Sequence, residues 1–403
     1  MDDLATTSFA EIDKIANKPI VLFGSGNIAK KTLRNIETKT VDFIADNSQN
    51  LQGESYEGYP IRPPKNITSD HFVIITSTAI VDISEQLKAY NLVPQDDFVV
   101  SPILNDRIAI NELESIETEF YFTSGAISGT EQLGKYGNNK YGGGLFKCIV
   151  NGLEYDYERI YQGPCYGSIR LDDTILFIDT DTGLMEYKDG DVNQLTELPS
   201  ESRPHGISYN ESNNKYYIAC SYQDSVLELD ESYTITNEFH ISDKIEYYDE
   251  PMHHCNDCFA TENSLYVTMF SSSGNWKNDS FDGCIAEFNI ETGERLRDVR
   301  SDLQMPHNID MFNGSLHVLD SLSGELRFNN LSTRGSFPAF SRGLDYENGV
   351  YHVGQSKNRN HSKVIGASKT VAIDCGVVLF EPELQISRFL HFPDIAGIHS
   401  VTC

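Results

Sequence analysis

The chain has 403 residues, 31 Lys and Arg against 60 Asp and Glu, and a formal charge of −29. Hydrophobic residues at 39% and aromatics at 11% fill packed cores, and the length calls for two or three domains rather than one. The acidity and the lack of any basic block exclude nucleic acid and anionic membrane as partners, and no apolar run approaches the ~18 residues of a spanning helix.

The opening residues, MDDLATTSFAEIDKIANK, lack the basic-then-apolar order of a secretion signal, so a cytoplasmic protein with no membrane insertion is expected. Eight cysteines in that compartment read as reduced thiols. From Phe9 to Ala16 the pattern is helical. An apolar strand, Ile20 to Phe23, follows, then a glycine turn and a helix from Ile28 to Ile36. Strands at Val41 to Ala45, Phe72 to Thr76 and Phe98 to Val100 flank a turn-rich segment, Gly53 to Pro64, and a helix, Ile80 to Tyr90. Helix and strand in alternation predict a small Rossmann-like parallel sheet domain over residues 1–110.

Beyond residue 118 the chain reads as short strands and turns. IDTDTGLMEY (178–187) lines up with LDSLSGELRF (319–328), and six openings repeat: CYGSI, RPHGI, HHCND, MPHNI, FSRGL and GIHSV, beginning at 165, 203, 253, 305, 340 and 397. Spacings of roughly 35 to 57 residues predict a six-bladed β-propeller over 118–403, the competing fold being two irregular sandwiches. The last opening leaves room for one strand only. Its missing strands are available at Glu119 to Thr123 and Leu145 to Ile160, so the ring is closed by strands from both ends. The fold class expected is therefore α/β plus all-β.

Gly24-Ser-Gly26-Asn27-Ile28-Ala29 joins a strand to a helix, and Asp46 and Asn47 follow the second strand. That context suits a phosphate at the helix start and a ribose on Asp46, although such a turn also serves simply to connect strand to helix. FGSGNIAKKTL and VDFIADNSQNLQGESYEGYPIRPP resemble the small nucleotide- or nucleotide-sugar-binding domain of bacterial surface-polysaccharide enzymes. The resemblance implies a nucleotide or nucleotide-sugar as ligand, with NAD the other cofactor expected of such a domain. The later half is similar to an uncharacterised bacterial propeller family, which implies a fold and no chemistry.

The first strand of each blade lines the axis, which places Tyr166, His205, Asn256, His307, Arg342 and His399 around one channel. His205, His307 and His399 fall on alternate blades and are the candidate ligands of a divalent metal, Zn, Mn or Fe; hydrogen-bonded channel filling is the other reading. The arrangement resembles the zinc site of peptidyl-hydroxyglycine amidating lyase in geometry alone. Tyr166 is the candidate acid/base, Arg342 the anion fork, Asn256 a group that orients water or a sugar hydroxyl. His254 is a candidate fourth ligand or proton carrier and Asp257 a support for a ring histidine. Cys255 and Cys258 lack a second pair and alternate on a strand, which argues against a thiolate site. Asp179 to Gly183 reads as a hairpin turn rather than a calcium loop, and Ser124 to Gly144 as a long glycine-rich loop with an imperfect phosphate-loop pattern.

The function expected is a metal-dependent lyase or hydrolase acting on a nucleotide-linked sugar or small anionic substrate, in polysaccharide or related biosynthesis. The alternatives are a non-catalytic binding or scaffold protein with an inert propeller, and an NAD-dependent oxidoreductase. The partner expected is a small-molecule substrate, with a homo-oligomer left open and no nucleic acid.

Overall fold

A computed structural model describes residues 4–36, 39–125, 142–199, 201–248, 250–278, 280–328, 332–357, 371–395 and 397–403. The glycine-rich segment at 126–141 lies outside these. The chain divides into two units, 1–115 and 116–403. Among the described residues no helix is long and apolar enough to cross a membrane.

The first unit runs α1 (Phe9–Ile15), β1 (Ile20–Phe23), α2 (Asn27–Asn35), β2 (Val41–Ala45), β3 (Ser55–Tyr56), β4 (Tyr59–Arg62), β5 (Phe72–Ile75), α3 (Ile80–Ala89), β6 (Phe98–Val100) and α4 (Asn105–Ser115). Its sheet has the order β3-β4-β2-β1-β5-β6 and is parallel apart from the β3–β4 pair. Every residue of β1, β5 and β6 is buried, because helices cover both faces of a parallel sheet. Alternate residues accordingly divide between two apolar clusters, Val21 and Phe23 in one, Ile20 and Leu22 in the other. Ser8 and Glu11 form a reciprocal capping box that starts α1. The segment read from sequence as turns contains β3 and β4: Pro60 lies in β4 and obscures its strand pattern. Helix α4 was not anticipated either.

The second unit is a six-bladed β-propeller. Blades 1 to 5 each consist of four consecutive antiparallel strands, with inner strands Cys165–Leu171, Pro204–Asn210, Cys255–Ala260, Pro306–Phe312 and Phe340–Glu347. Turn chemistry fixes the hairpins. Asn313-Gly314 and Asn348-Gly349 take positive φ at both central positions, as two-residue turns matched to strand twist require. Asp179 closes the hairpin after its own strand by accepting from Asp181 and Thr182 N–H, which is the turn expected there.

Blade 6 takes its inner strand, Ser400–Thr402, from the far end of the chain and its other three, Glu117–Ser124, Gly144–Asn151 and Glu154–Tyr161, from before blade 1. Ser400 to Thr402 pair with Thr123 to Tyr121, and Ser400 N–H also donates to Thr123 Oγ1 at 3.0 Å. Phe392 stacks on Phe122 at 4.7 Å and contacts Tyr157 at 4.6 Å, and Arg388 donates to the Gly152 and Leu153 carbonyls. These contacts tie blade 5 to blade 6. Phe392 is fully buried, so Phe392→Ala is expected to cost about 3–5 kcal/mol by removing an aromatic ring from a closed seam, measured by urea unfolding at constant slope.

Candidate functional site

Each of the first five inner strands breaks register at the position that faces the axis. The shifts fall between Cys165 and Ser168, Pro204 and Ile207, Cys255 and Asp257, His307 and Ile309, and Ser341 and Leu344. A bulge re-aims the side chain it carries. In blades 2, 3 and 4 the residue two positions earlier is left-handed: Arg203, His254 and Met305, with φ of 49°, 54° and 54°. One backbone device, repeated around the ring, thus turns side chains toward a common mouth.

Tyr166 lies between His205 and His399, with ring centroids 4.7 and 4.3 Å away. His205 is 5.8 Å from His307 and 5.6 Å from His399. Arg342 donates to His399 Nδ1 at 3.1 Å and to Ser356 Oγ at 3.3 Å. Arg203, which the sequence reading passed over although it begins the RPHGI opening, donates to the Tyr166 and Tyr222 hydroxyls at 3.3 and 2.9 Å. Five of the six expected axial positions therefore share this mouth. Asn256 does not work as a water-orienting group: its amide donates to Pro306 O and accepts from Thr268 Oγ1, and it is fully buried as a link between blades 3 and 4.

The tautomers follow from the partners. His307 Nδ1 lies 2.9 Å from Met305 O, which only accepts, and 2.8 Å from Ser321 Oγ, so Nδ1 carries the proton that the carbonyl accepts. A guanidinium only donates, so His399 Nδ1 accepts from Arg342 and the neutral ring carries its proton on Nε2. The two rings are thus chemically opposite. Burial, with the Arg203 and Arg342 guanidiniums adding to it, holds His205 well below the usual imidazole range.

These bonds bear on the expected metal. A ligating imidazole offers a lone pair, whereas His399 turns its lone pair to Arg342, and two guanidiniums repel a dication. No group of three His, Cys, Asp or Glu with metal-holding geometry occurs among the described residues. The donor set as folded does not fit a three-histidine centre. Asp257 does not support a ring histidine. Its carboxylate accepts from Cys258 N–H at 3.0 Å and lines the opposite mouth. Cys255 and Cys258, expected to face opposite ways, enter one interblade core because the bulge at Asn256 resets the alternation; their thiols donate to blade 2 carbonyls and burial raises both pKa values.

The opposite mouth is a cavity of about 390 Å³ bordered by Asp257, Asp310 and Asp345. Burial pushes Asp257 up to about 8 and Asp310 to about 7, with repulsion from Asp310 adding to the first and from Asp345 to the second. One end of the axis is therefore cationic and the other acidic.

In the first unit, Gly24 (φ 116°) ends β1 and Gly26 caps α2 without a side-chain bond, Asn27 and Ile28 forming its first turn. Asp46 accepts from Ser25 N–H and Oγ at 3.0 and 2.6 Å and from Ser48 N–H at 2.9 Å. Asn47 exchanges amide bonds with Gln86. The Asp46 carboxylate, expected to meet a ribose, thus braces the turn.

A six-bladed ring with a polarised axis and a histidine-arginine mouth is the class of protein these features define. The chain belongs to the family described as a domain of unknown function (DUF4915), which matches residues 151–401. Residues 16–96 match a family described as C2185-like, N-terminal. No curated protein matches. Among solved structures the chain is similar to the nidogen/laminin complex, at 10% identity and a TM-score of 0.48 over 71% of this chain and 98% of that one. It is also similar to a gluconolactonase from Xanthomonas campestris, at 11% and 0.43 over 70% and 90%, and to a luciferin-regenerating enzyme, at 11% and 0.38 over 59% and 90%. At these values the likeness carries no chemistry. The nucleotide-sugar resemblance of the first unit finds no support in them.

The acidic mouth gives a pH test. Asp257 folded holds its proton to about 8 while the unfolded carboxyl loses it near 4, so stability falls as pH rises through that window. His254, held neutral down to about 3 by burial, acts oppositely, losing stability as pH falls below about 6.5. Asp257→Asn is expected to flatten the decline in unfolding free energy between pH 5 and pH 8, read by urea denaturation at each pH.

Proposed function

We propose that the propeller is an enzyme of the hydrolase or lyase type that holds a small anionic substrate at its cationic mouth. The observation that carries this reading is electrostatic. In a chain of formal charge −29, the Arg203 guanidinium holds the Tyr166 hydroxyl at 3.3 Å and the Arg342 guanidinium holds His399 Nδ1 at 3.1 Å, so two fixed cations stand against the histidine cluster. Arg203 and Arg342 take a carboxylate or phosphate, because guanidinium forks match planar anions. His307, with its Nε2 lone pair, is the proton acceptor; His399, with Nε2–H, is the donor that stabilises a developing oxyanion or leaving group. Tyr166 fills the gap between the two sides and is fixed by Arg203.

The test is a panel of small carboxylate esters, lactones and sugar phosphates assayed with purified protein. Turnover of one member is expected, with His307→Gln lowering kcat by about 10²–10⁴-fold and Arg342→Met raising KM. Calorimetry that finds no anion bound to the parent protein, together with no turnover, would leave the ring as an inert scaffold. The first unit is a separate proposal: a nucleotide phosphate on the free amides of Gly26 and Asn27 at the start of α2. Titration with UDP-sugars and NAD is expected to show binding that Gly26→Pro removes, while Asp46→Ala lowers the melting temperature of the unit by releasing Ser25 and Ser48.

A further inference from the structure

The cavity of about 390 Å³ at the acidic end has a repeated construction. In blades 3, 4 and 5 an aspartate of the inner strand borders it, and each carboxylate accepts from the N–H of the residue that follows. Asp257 accepts from Cys258 at 3.0 Å, Asp310 from Met311 at 2.6 Å and Asp345 from Tyr346 at 2.7 Å. Gly206 makes room for the first, since a Cβ there would lie 2.6 Å from the Asp257 carboxyl carbon.

What these carboxyls lack is a cation. Asp257 is 8% exposed, its remaining partners are the backbone N–H groups of Asn308 and Ile309, and it pairs with no lysine, arginine or histidine among the described residues. Asp345 is likewise held by backbone alone, its second oxygen accepting from Cys403 N–H at 2.7 Å. Asp310 Oδ2 makes no hydrogen bond among the described residues. Arg170 borders the void but turns its Nε to the Asp172 carbonyl at 2.9 Å, and Glu211 adds a fourth acidic group. A buried carboxylate without a cation takes up a proton or a ligand. Between the acidic groups the lining is apolar, with Ile207, Ile309, Leu344 and Val401. No group of three His, Cys, Asp or Glu with metal-holding geometry occurs among the described residues, so the carboxyls surround the void rather than converge on a point.

We infer that this cavity is a second binding site, for a short aliphatic diamine or polyamine whose ammonium groups reach carboxylates on adjacent blades while its methylenes lie on the apolar side chains between them. Acidic groups on three blades around one void suit a ligand charged at both ends, whereas a point cation reaches them unequally. An ammonium brings only donors, and the unmatched oxygen of an ionised Asp310 only accepts. The volume falls in the range of small-ligand sites, roughly 300 to 1,000 Å³. The site stands apart from the anion site proposed above and uses none of its residues.

The full chain is titrated by calorimetry with putrescine, spermidine, butylamine and butanediol at about pH 8.5, above the range in which Asp257 keeps its proton. Putrescine or spermidine is expected to bind saturably at a single site, about tenfold tighter than butylamine, the worth of one further hydrogen bond to a charged group, and butanediol not to bind. Asp310→Asn, of equal size, is expected to remove most of that preference. The other titrating groups at the void are Tyr209, Cys258 and Cys403, and burial raises both thiols, which therefore stay protonated. Because an ammonium favours ionised carboxylates, putrescine affinity is expected to rise about tenfold from pH 7 to pH 8, with proton release read from the heats in two buffers of different protonation enthalpy. Absence of saturable binding overturns the site. So does binding of many equivalents, or an affinity that both Asp310→Asn and Asp257→Asn leave unchanged, since either means adsorption to an acidic surface. Butylamine that binds as tightly as putrescine overturns the diamine assignment. Should Asp257→Asn not fold, Asp310→Asn and the pH profile decide.

Discussion

The pairing of Ser400–Thr402 with Glu117–Ser124 is the constraint on which the rest depends. A four-stranded blade has two edges, and a ring whose sixth blade lacks its innermost strand leaves both an exposed inner edge and a gap where a sixth of the axis belongs. Thr123 sits at the junction. Its carbonyl accepts from His399 N–H at 2.9 Å, its hydroxyl accepts from Ser400 N–H, and the same hydroxyl donates to the Tyr166 carbonyl. Closure and placement of two mouth residues are therefore one event, carried by one threonine on a strand far from either in sequence.

Given the closed ring, the bulges set the chemistry. A regular inner strand sends alternate residues up and down the blade interface; the register breaks turn His205 and His307 toward the mouth instead. The asymmetry of the outcome matters as much as the symmetry. Two histidines on related blades carry their protons on opposite nitrogens because one faces a carbonyl and the other a guanidinium. Repetition supplies position, and the neighbours supply reactivity.

The ring, its blade count and its manner of closure were legible because six openings recur and the last leaves room for one strand only. The convergence of Tyr166, His205, His307, Arg342 and His399 was legible for the same reason. What the sequence hid is local. Nothing in a pattern of residue types shows that Arg342 occupies a histidine nitrogen, and hence that three imidazoles differ in what they offer a ligand. Asn256 shares the axial register yet turns aside to Pro306 O and Thr268, a choice made by interblade packing. Asp46 occupies the expected strand end, but its carboxylate accepts two bonds from Ser25 and one from Ser48, which depend on the path of the chain around the glycine turn. Strand β4 was masked by Pro60, and the bulge at Asn256 undid the alternation that had separated Cys255 from Cys258.

Closure from both directions also orders events in time. Glu117–Ser124 leaves the ribosome with its inner edge bare and waits for some 275 further residues, five blades' worth, before Ser400–Thr402 arrives to cover it. Until then an extended edge rich in Phe and Tyr is open to strands of other nascent chains. Slow translation, or anything that delays the final strand, thus lengthens the period in which this polypeptide is most exposed to misassembly, and the mouth is completed abruptly at its end.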